Sequence, residues 1–196
     1  MSENTCAAVI LAAGASTRLG QPKQLVCIGG EPLLVRTVRL AREAGCEPVV
    51  VVIGFEAQRM REALAGIPAV IVENHGWQSG MGSSLRFGVA ALAQVVPGSS
   101  AVLLLVCDQI ALSAGFLNEL RRVHELSEKP ITAAHYAGRA GVPAIFTARF
   151  FPELLKVEGD RGARAILERH AAEVALVEFE DGVIDLDTPE QLRHLS

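Results

Sequence analysis

Val9-Ile10-Leu11-Ala12-Ala13-Gly14-Ala15-Ser16-Thr17-Arg18-Leu19-Gly20-Gln21-Pro22-Lys23 begins as a short apolar run and turns into a glycine-bounded basic loop that reaches one lysine. The run reads as a buried strand and the loop as a cradle for phosphate. Gly14 and Gly20 are expected to take positive φ and let the backbone approach a ligand, the small residues keep the loop low, and Arg18 and Lys23 supply fixed charge for phosphate oxygens. An ordinary glycine-rich β–α turn with two solvated cations is the plainer alternative. Two familiar phosphate motifs do not fit. A Walker A loop needs Gly, four residues, then Gly-Lys-Ser/Thr, whereas Lys23 here follows Gln21-Pro22. A dinucleotide fingerprint needs Gly-x-Gly-x-x-Gly directly after the strand, and position 16 is Ser.

Outward from this loop, strand-like and helix-like segments alternate to the end of the chain without a repeat or a low-complexity linker. The 196 residues suit one domain over 1–196. Half the residues are hydrophobic but only 5% are aromatic, so Ala, Val and Leu must fill the core. That composition suits a three-layer, Rossmann-like α/β sandwich with a mostly parallel sheet and helices on both faces. A formal charge of −4 argues against a general nucleic-acid surface and makes a bridging cation reasonable for a polyanionic ligand. Met1-Ser2-Glu3-Asn4 lacks a basic leader, and the following apolar run is too short for a signal peptide or membrane span, so a cytoplasmic protein without a membrane partner is expected. Cys6, Cys27, Cys46 and Cys107 show no metal-ligand or disulfide spacing, and the histidines are scattered, so free thiols and surface or capping imidazoles are expected.

Taken in order, Gln24 to Ile28 reads as extended, and Pro32 opens a helix that carries Leu33, Leu34, Val38 and Ala41 and closes at Gly45. Val49 to Ile53 and Ala69 to Val72 read as buried strands with a helix over 56–64 between them. The polar, glycine-rich Glu73 to Ser84 segment carries Trp77 and leads into a helix with Leu85, Val89 and Leu92. Its N-terminus would present N–H groups to ligand oxygens, with Ser83 or Ser84 as a possible N-cap. Ala101 to Val106 is the most apolar strand, and Asp108 follows at its carboxyl end, where open α/β sheets bind ligands. That makes Asp108 the first candidate metal ligand. Ser113 is placed to cap the next helix. Later, Gly138 to Gly141 reads as a turn before a strand, and Asp160 is a possible cap for a helix running to His170, on which Arg161 and Arg164 share a face. Near the end, Asp185 and Asp187 would share a strand face, and Thr188-Pro189-Glu190-Gln191 reads as a capping box.

The phosphate loop, read as Leu-Ala-Ala-Gly-x-Ser-x-Arg-hydrophobic-Gly-x-x-Lys, resembles the signature of MobA-like nucleotidyltransferases, and Trp77-x-x-Gly80-Met81-x-Ser83-Ser84-Leu85 resembles their molybdenum cofactor cytidylyltransferase branch. Matches at Asp108, Pro143, Gly159 to Arg164 and Asp187 extend the resemblance over nearly the whole chain, and it implies a single domain over 1–196 whose N-terminal half binds NTP and whose C-terminal half binds the acceptor. It implies transfer of CMP from CTP to the terminal phosphate of a molybdenum-pterin acceptor with Mg2+, and release of pyrophosphate. By the same resemblance Leu11, Ala12, Ala13, Gly14, Ser16, Arg18, Lys23, Ser83 and Asp108 face the nucleotide, with Lys23, Arg18 and Asp108 catalytic. Trp77, Gly80, Met81, Ser84, Pro143, Asp160 and Arg164 face the acceptor, while Asp108 and Asp187 hold the metal, with Asp187 favoured over Asp185. Family members commonly have Gly-Asp-Gln-Pro where this chain has Cys107-Asp108-Gln109-Ile110. The product would pass to a molybdenum hydroxylase or its maturation chaperone. A guanylyltransferase, a sugar- or polyol-phosphate nucleotidyltransferase and a non-catalytic cofactor carrier stay open as alternatives. The chemistry itself needs no Ser-His-Asp constellation, because a phosphate monoester with a second pKa of about 6 is already a nucleophile near neutral pH.

Overall fold

The structure, a computed structural model, describes residues 6–186 and 190–191. Strand β1 (Cys6–Ala12) lies inside a seven-stranded sheet. A short hairpin of β2 (Cys27–Ile28) and β3 (Glu31–Pro32) precedes α1 (Leu33–Glu43), followed by β4 (Val49–Ile53), α2 (Ala57–Ala63), β5 (Val70–Glu73), α3 (Met81–Val95) and β6 (Ala101–Val106). Next come α4 (Ala114–Leu126), β7 (Ile131–Tyr136), β8 (Arg139–Thr147), the short α5 (Phe151–Leu154) and α6 (Arg164–Arg169), and β9 (Val174–Glu178). The sheet order is β5-β4-β1-β6-β8-β7-β9. Every pairing is parallel except the two made by β8, which runs antiparallel to β6 and β7. The mostly parallel sheet with helices on both faces agrees with the sandwich expected from composition.

Alternation along β1 divides the core. Ala8 and Ile10 point to the face covered by α1, α2 and α4, packing with Leu34, Val38, Met60, Leu117 and Leu120. Ala7 and Val9 point the other way, to the face covered by α3, α5 and α6, with Leu85, Val89, Leu154 and Ile166. β1, β4 and β6 are apolar on both faces because helices lie on both. With so few aromatic residues, close approach of helix to sheet replaces bulk. A Cβ at Gly88 on α3 would run into the Val9 and Val52 side chains, so the missing side chain sets the helix-to-sheet distance.

Several local readings change. Lys23–Leu25 is a 3-10 turn rather than extended chain, because Leu25 and Val26 donate back to the carbonyls of Pro22 and Lys23. Pro32 is the N-cap of α1, one position earlier than expected. β5 is an edge strand and only half-buried, since it pairs with β4 alone. The turn between β7 and β8 is Ala137-Gly138, both at positive φ, and Arg139 already belongs to the strand. Ser113 does cap α4, accepting from the Phe116 N–H at 3.1 Å. Gly80, with φ 101°, is the N-cap of α3, and Ser83 and Ser84 lie within the helix. No side chain caps α6, so Asp160 does not serve that role.

Gly88→Ala is expected to lower stability by about 1–3 kcal/mol through overpacking, outweighing the roughly 0.5–1 kcal/mol that alanine gains over glycine inside a helix. For a chain of this size that is a fall of about 2–10 °C in Tm. Calorimetry checks it, and a rise in Tm would show that α3 has room to spare.

Candidate active site

The sheet order reverses beside β1. From β1 the chain moves outward to β4 and β5 and then returns to β6 on the other side, so the loops after β1 and β6 diverge and leave a crevice at the carboxyl ends. A cleft of about 560 Å³ occupies this point. The loop after β1 lines one wall, Val106, Cys107 and Asp108 line the floor, and the segment around Trp77 to Met81 lines the far wall.

The first loop is fixed from below by Gln24, which is only 1% exposed. Its amide nitrogen donates to the Ala12 carbonyl at 3.0 Å and to the Gly14 carbonyl at 2.8 Å. The Lys23 N–H donates to Ser16 Oγ at 3.2 Å, which closes the loop on itself. Positive φ falls on Ser16 (52°) and Gly20 (75°) and not on Gly14. Neither conformation nor packing therefore requires glycine at 14: a Cβ there would meet no atom within 4 Å, and the position borders the cleft. Leu19 anchors the loop's outer turn in a small cluster with Val26, Leu33 and Leu186.

Lys23 Nζ and Asp108 Oδ2 form an ion pair across the crevice, with side-chain exposures of 20% and 16%. Asp108 Oδ1 is buried with no hydrogen-bond partner among the described residues. The Asp108 carbonyl accepts from the Leu186 N–H at 3.0 Å, and Gln109 bridges to Asp185, so the segment leading to residue 186 lies alongside the turn after β6. Cys107, where the family commonly has glycine, is buried. Burial and the neighbouring Asp108 carboxylate push its thiol up to about 12, so it stays protonated.

The far wall is built on Asn74, a buried residue that the sequence alone did not single out. Its side chain donates to Ser83 Oγ at 2.8 Å and Ser84 Oγ at 3.1 Å and accepts from the Gly76 N–H at 2.9 Å. Trp77 packs edge-on against Phe55 with ring centroids 5.7 Å apart. The segment before α6 docks on the start of α3: the Gly82 N–H donates to the Gly159 carbonyl at 2.8 Å, and Arg86 bonds the Val157 carbonyl. A Cβ at Gly80 would meet Asp160 Oδ1 at 2.5 Å, so this glycine allows the two segments to touch.

Of the expected nucleotide residues, Leu11, Ala13, Gly14, Ser16, Arg18, Lys23 and Asp108 line the cleft. Ala12 points into the core, and the Ser83 hydroxyl is turned to the Gly76 and Gly80 carbonyls, so neither side chain does. The start of α3 is less open to ligand than expected, since the Gly82 and Ser83 N–H groups already donate to Gly159 and Gly80. Of the expected acceptor residues, Trp77, Gly80, Met81, Ser84 and Asp160 line the same cleft. Pro143 and Arg164 do not. Pro143 sits in a bulge of β8 whose Val142 carbonyl accepts from Gln109 and Tyr136. Arg164 bonds Glu168 at 2.8 Å, and Arg161 bonds the same carboxylate, which satisfies the acidic partner within the chain. Asp185 is not among the cleft residues, and Asp187 lies outside the described residues.

Among the described residues the charged side chains lining the cleft are Arg18, Lys23, Asp108 and Asp160, which cancel formally. A triphosphate entering it therefore brings uncompensated negative charge, and a hard divalent cation held by carboxylate oxygen fits that need. Asp108 Oδ1, buried and unpartnered among the described residues, is the oxygen suited to such an ion. Among the described residues no cluster of three or more His, Cys, Asp or Glu side chains could hold a metal, so the chain offers Asp108 and leaves other positions to the ligand, to water and to residues beyond those described. No helix among the described residues is long and apolar enough to cross a membrane.

The model for the MobA-like NTP transferase domain matches residues 8–174. Nicotine blue oxidoreductase of Paenarthrobacter nicotinovorans is 34% identical over 198 aligned positions, covering 95% of this chain and 94% of that protein. A probable molybdenum cofactor guanylyltransferase of Opitutus terrae is 34% identical over 62% of this chain, which spans 58% of its length. The crystal structure of Rv0371c from Mycobacterium tuberculosis H37Rv superposes with a TM-score of 0.82 at 30% identity, over 100% of this chain and 98% of that one. Its complex with manganese gives a TM-score of 0.76 at 29% identity over 97% of each chain.

Alkylation should discriminate among the thiols. Iodoacetamide at pH 8 is expected to label the exposed Cys27 and to leave Cys107 unmodified in the folded protein, read by peptide mass mapping. Rapid labelling of Cys107 would mean that its thiolate is accessible.

Proposed function

Because this chain belongs to the MobA-like NTP transferase family, we propose that it transfers CMP from CTP to the terminal phosphate of a molybdenum-pterin acceptor and releases pyrophosphate. The observation that carries this reading is the cleft at the strand reversal. There Arg18, Lys23 and Asp108 converge from the loops after β1 and β6, and Trp77 and Met81 stand on the opposite wall. Cytosine is favoured because Ala13-Gly14 stands where the guanylyl branch usually has Gly-Gly. The probable guanylyltransferase relative supports a molybdenum cofactor substrate, and the product would pass to a molybdenum hydroxylase or its maturation chaperone.

An oxygen of the acceptor phosphate attacks the α-phosphorus of CTP, a new P–O bond forms, and the bond from that phosphorus to the bridging β-oxygen breaks to release pyrophosphate. The nucleophile is already ionised, so no general base is required. The chain's work is positioning and electrostatics. Lys23 is poised between two partners: it pairs with Asp108 now and would turn to the phosphate oxygens when CTP enters. Arg18, exposed on the same loop, meets the outer phosphates, and Trp77 gives the acceptor an aromatic wall. Asp108, with Asp187 as the expected second ligand, would hold a divalent cation such as Mg2+, whose charge would offset that of the triphosphate and the departing pyrophosphate. The manganese complex of Rv0371c agrees with a divalent ion in this fold.

A second reading rests on nicotine blue oxidoreductase, similar over nearly its whole length. In it the same cleft grips the pyrophosphate of a dinucleotide electron carrier rather than a triphosphate. Thermal unfolding with CTP, GTP, ATP, UTP, NADH and NADPH, each with and without Mg2+ or Mn2+, separates the two. A cation-dependent rise with CTP of about 5–10 °C at ~100 times Kd supports cytidylyl transfer. A rise confined to GTP moves the protein to guanylyl transfer, and one confined to a nicotinamide dinucleotide favours the redox reading.

In a pyrophosphate-release assay, Asp108→Asn is expected to lower kcat by roughly 100-fold or more while Tm moves by only a few degrees, because a part-exposed ion pair contributes about 1 kcal/mol or less. Lys23→Ala should raise KM for CTP about tenfold. Wild-type kinetics in either variant would remove that residue from the mechanism.

A further inference from the structure

We infer that Gln24 is a positioning residue for the polyphosphate, setting the direction of the loop amides that receive it. The inference rests on the triphosphate reading of the cleft. Across a trans peptide the C=O of one residue and the N–H of the next point in opposite directions. In the loop after β1 the carbonyls are committed one by one: Ala12 and Gly14 accept from the Gln24 amide, and Ala13 accepts from the Phe55 N–H at 3.0 Å. By that rule the Ala15 N–H, opposite the Gly14 carbonyl, is turned away from Gln24, while the Gly14 N–H, opposite the Ala13 carbonyl, is turned away from Phe55, and both residues border the cleft. Neither donates in a turn or loop hydrogen bond among the described residues. Two successive amides without loop partners among the described residues, on residues that border one cleft, suit the oxygens of a polyphosphate, and Gln24 sets the second of them through the Gly14 carbonyl.

Glutamine is suited to this work for three reasons. It is neutral, so it adds no negative charge beneath the phosphates. Its two amide hydrogens serve two carbonyls at once, which no hydroxyl can do. The 3-10 turn at Lys23–Leu25 places it directly after Lys23, so the residue that orients the amides and the residue that carries the charge move as one unit. Ser16 Oγ, 3.5 Å from Gln24 Oε1, stands on the acceptor side of the same amide. Glutamate here would set carboxylate oxygens against two carbonyl oxygens. A methionine would match the volume and donate nothing.

The test uses the full chain and inorganic tripolyphosphate with Mg2+. In wild type, titration should shift the amide ¹H resonances of Gly14 and Ala15 downfield in ¹⁵N-resolved spectra, with saturation at the Kd found by calorimetry. Gln24→Met should weaken tripolyphosphate and raise KM for CTP about tenfold or more, leave KM for the acceptor within twofold, and keep a dispersed, folded spectrum. A purely structural role for Gln24 would lower Tm and disturb both Michaelis constants together. Unmoved Gly14 and Ala15 amides in a wild type that binds tripolyphosphate would overturn the inference while sparing the transfer reading. Retained affinity in Gln24→Met would do the same. If wild type binds neither tripolyphosphate nor any nucleoside triphosphate, the transfer reading itself falls and this inference falls with it. Should Gln24→Met fail to fold, the wild-type amide shifts alone decide.

Discussion

The contact between Lys23 and Asp108 is where the architecture of the whole chain meets. Each residue stands one loop beyond a central strand, and the two strands are neighbours paired in register from Cys6 with Ala101 to Leu11 with Val106. That pairing is possible only because the chain leaves β1, builds β4 and β5 to one side, and returns by α3 to the other. The crossover that carries α3 back over the sheet also brings its N-terminal loop to the same end. One topological choice therefore puts the cationic loop, the carboxylate and the Trp77 wall around a single crevice.

The ion pair also carries a functional consequence. Under the proposed transfer neither partner can serve two masters: a cation on Asp108 would weaken the hold on Lys23, and a triphosphate near Lys23 would draw it from Asp108. Nucleotide and divalent ion thus relieve each other's cost of entry, and their binding should be mutually reinforcing. The surrounding residues hold this exchange still. The Lys23 backbone is tied to Ser16 Oγ, so the side chain can swing while its origin stays fixed.

The sheet, the helices and most of the cleft were legible from residue pattern, because two-sided apolar strands, glycine stops and a carboxylate at a strand end follow directly from local chemistry. Gln24 and Asn74 were not. Both are buried polar residues whose partners are backbone carbonyls or hydroxyls brought near by the fold, and nothing in their immediate sequence announces burial. Gly14 sits in a loop whose sequence suggests a conformational glycine, yet its φ is ordinary and a Cβ there would meet no atom within 4 Å. Arg164 was assigned to the acceptor because its segment resembles the family's, whereas Glu168, one helical turn later, takes up its charge. Its neighbour Asp160 does reach the cleft, carried there by the docking of Gly159 on α3, a tertiary contact that local spacing cannot show.

The similarity to a protein named as an oxidoreductase bears on what such a cleft selects for. Nucleoside triphosphates and pyrophosphate-bridged dinucleotides share a diphosphate joined to a ribose, and under either reading the loop amides, Lys23 and Arg18 are the groups that would meet it. What separates a transfer reaction from a redox one must lie where the ligands differ. A transferase needs a wall that admits a second phosphate within bonding distance of the α-phosphorus, and a cation to draw the two anions together. A redox enzyme needs neither. Among the described residues Asp108 Oδ1 has no hydrogen-bond partner and the cleft's charges cancel, which fits the first requirement, since a carboxylate facing two incoming anions is a liability unless a cation comes with them. Asp108 is therefore the residue on which the choice between the two chemistries turns.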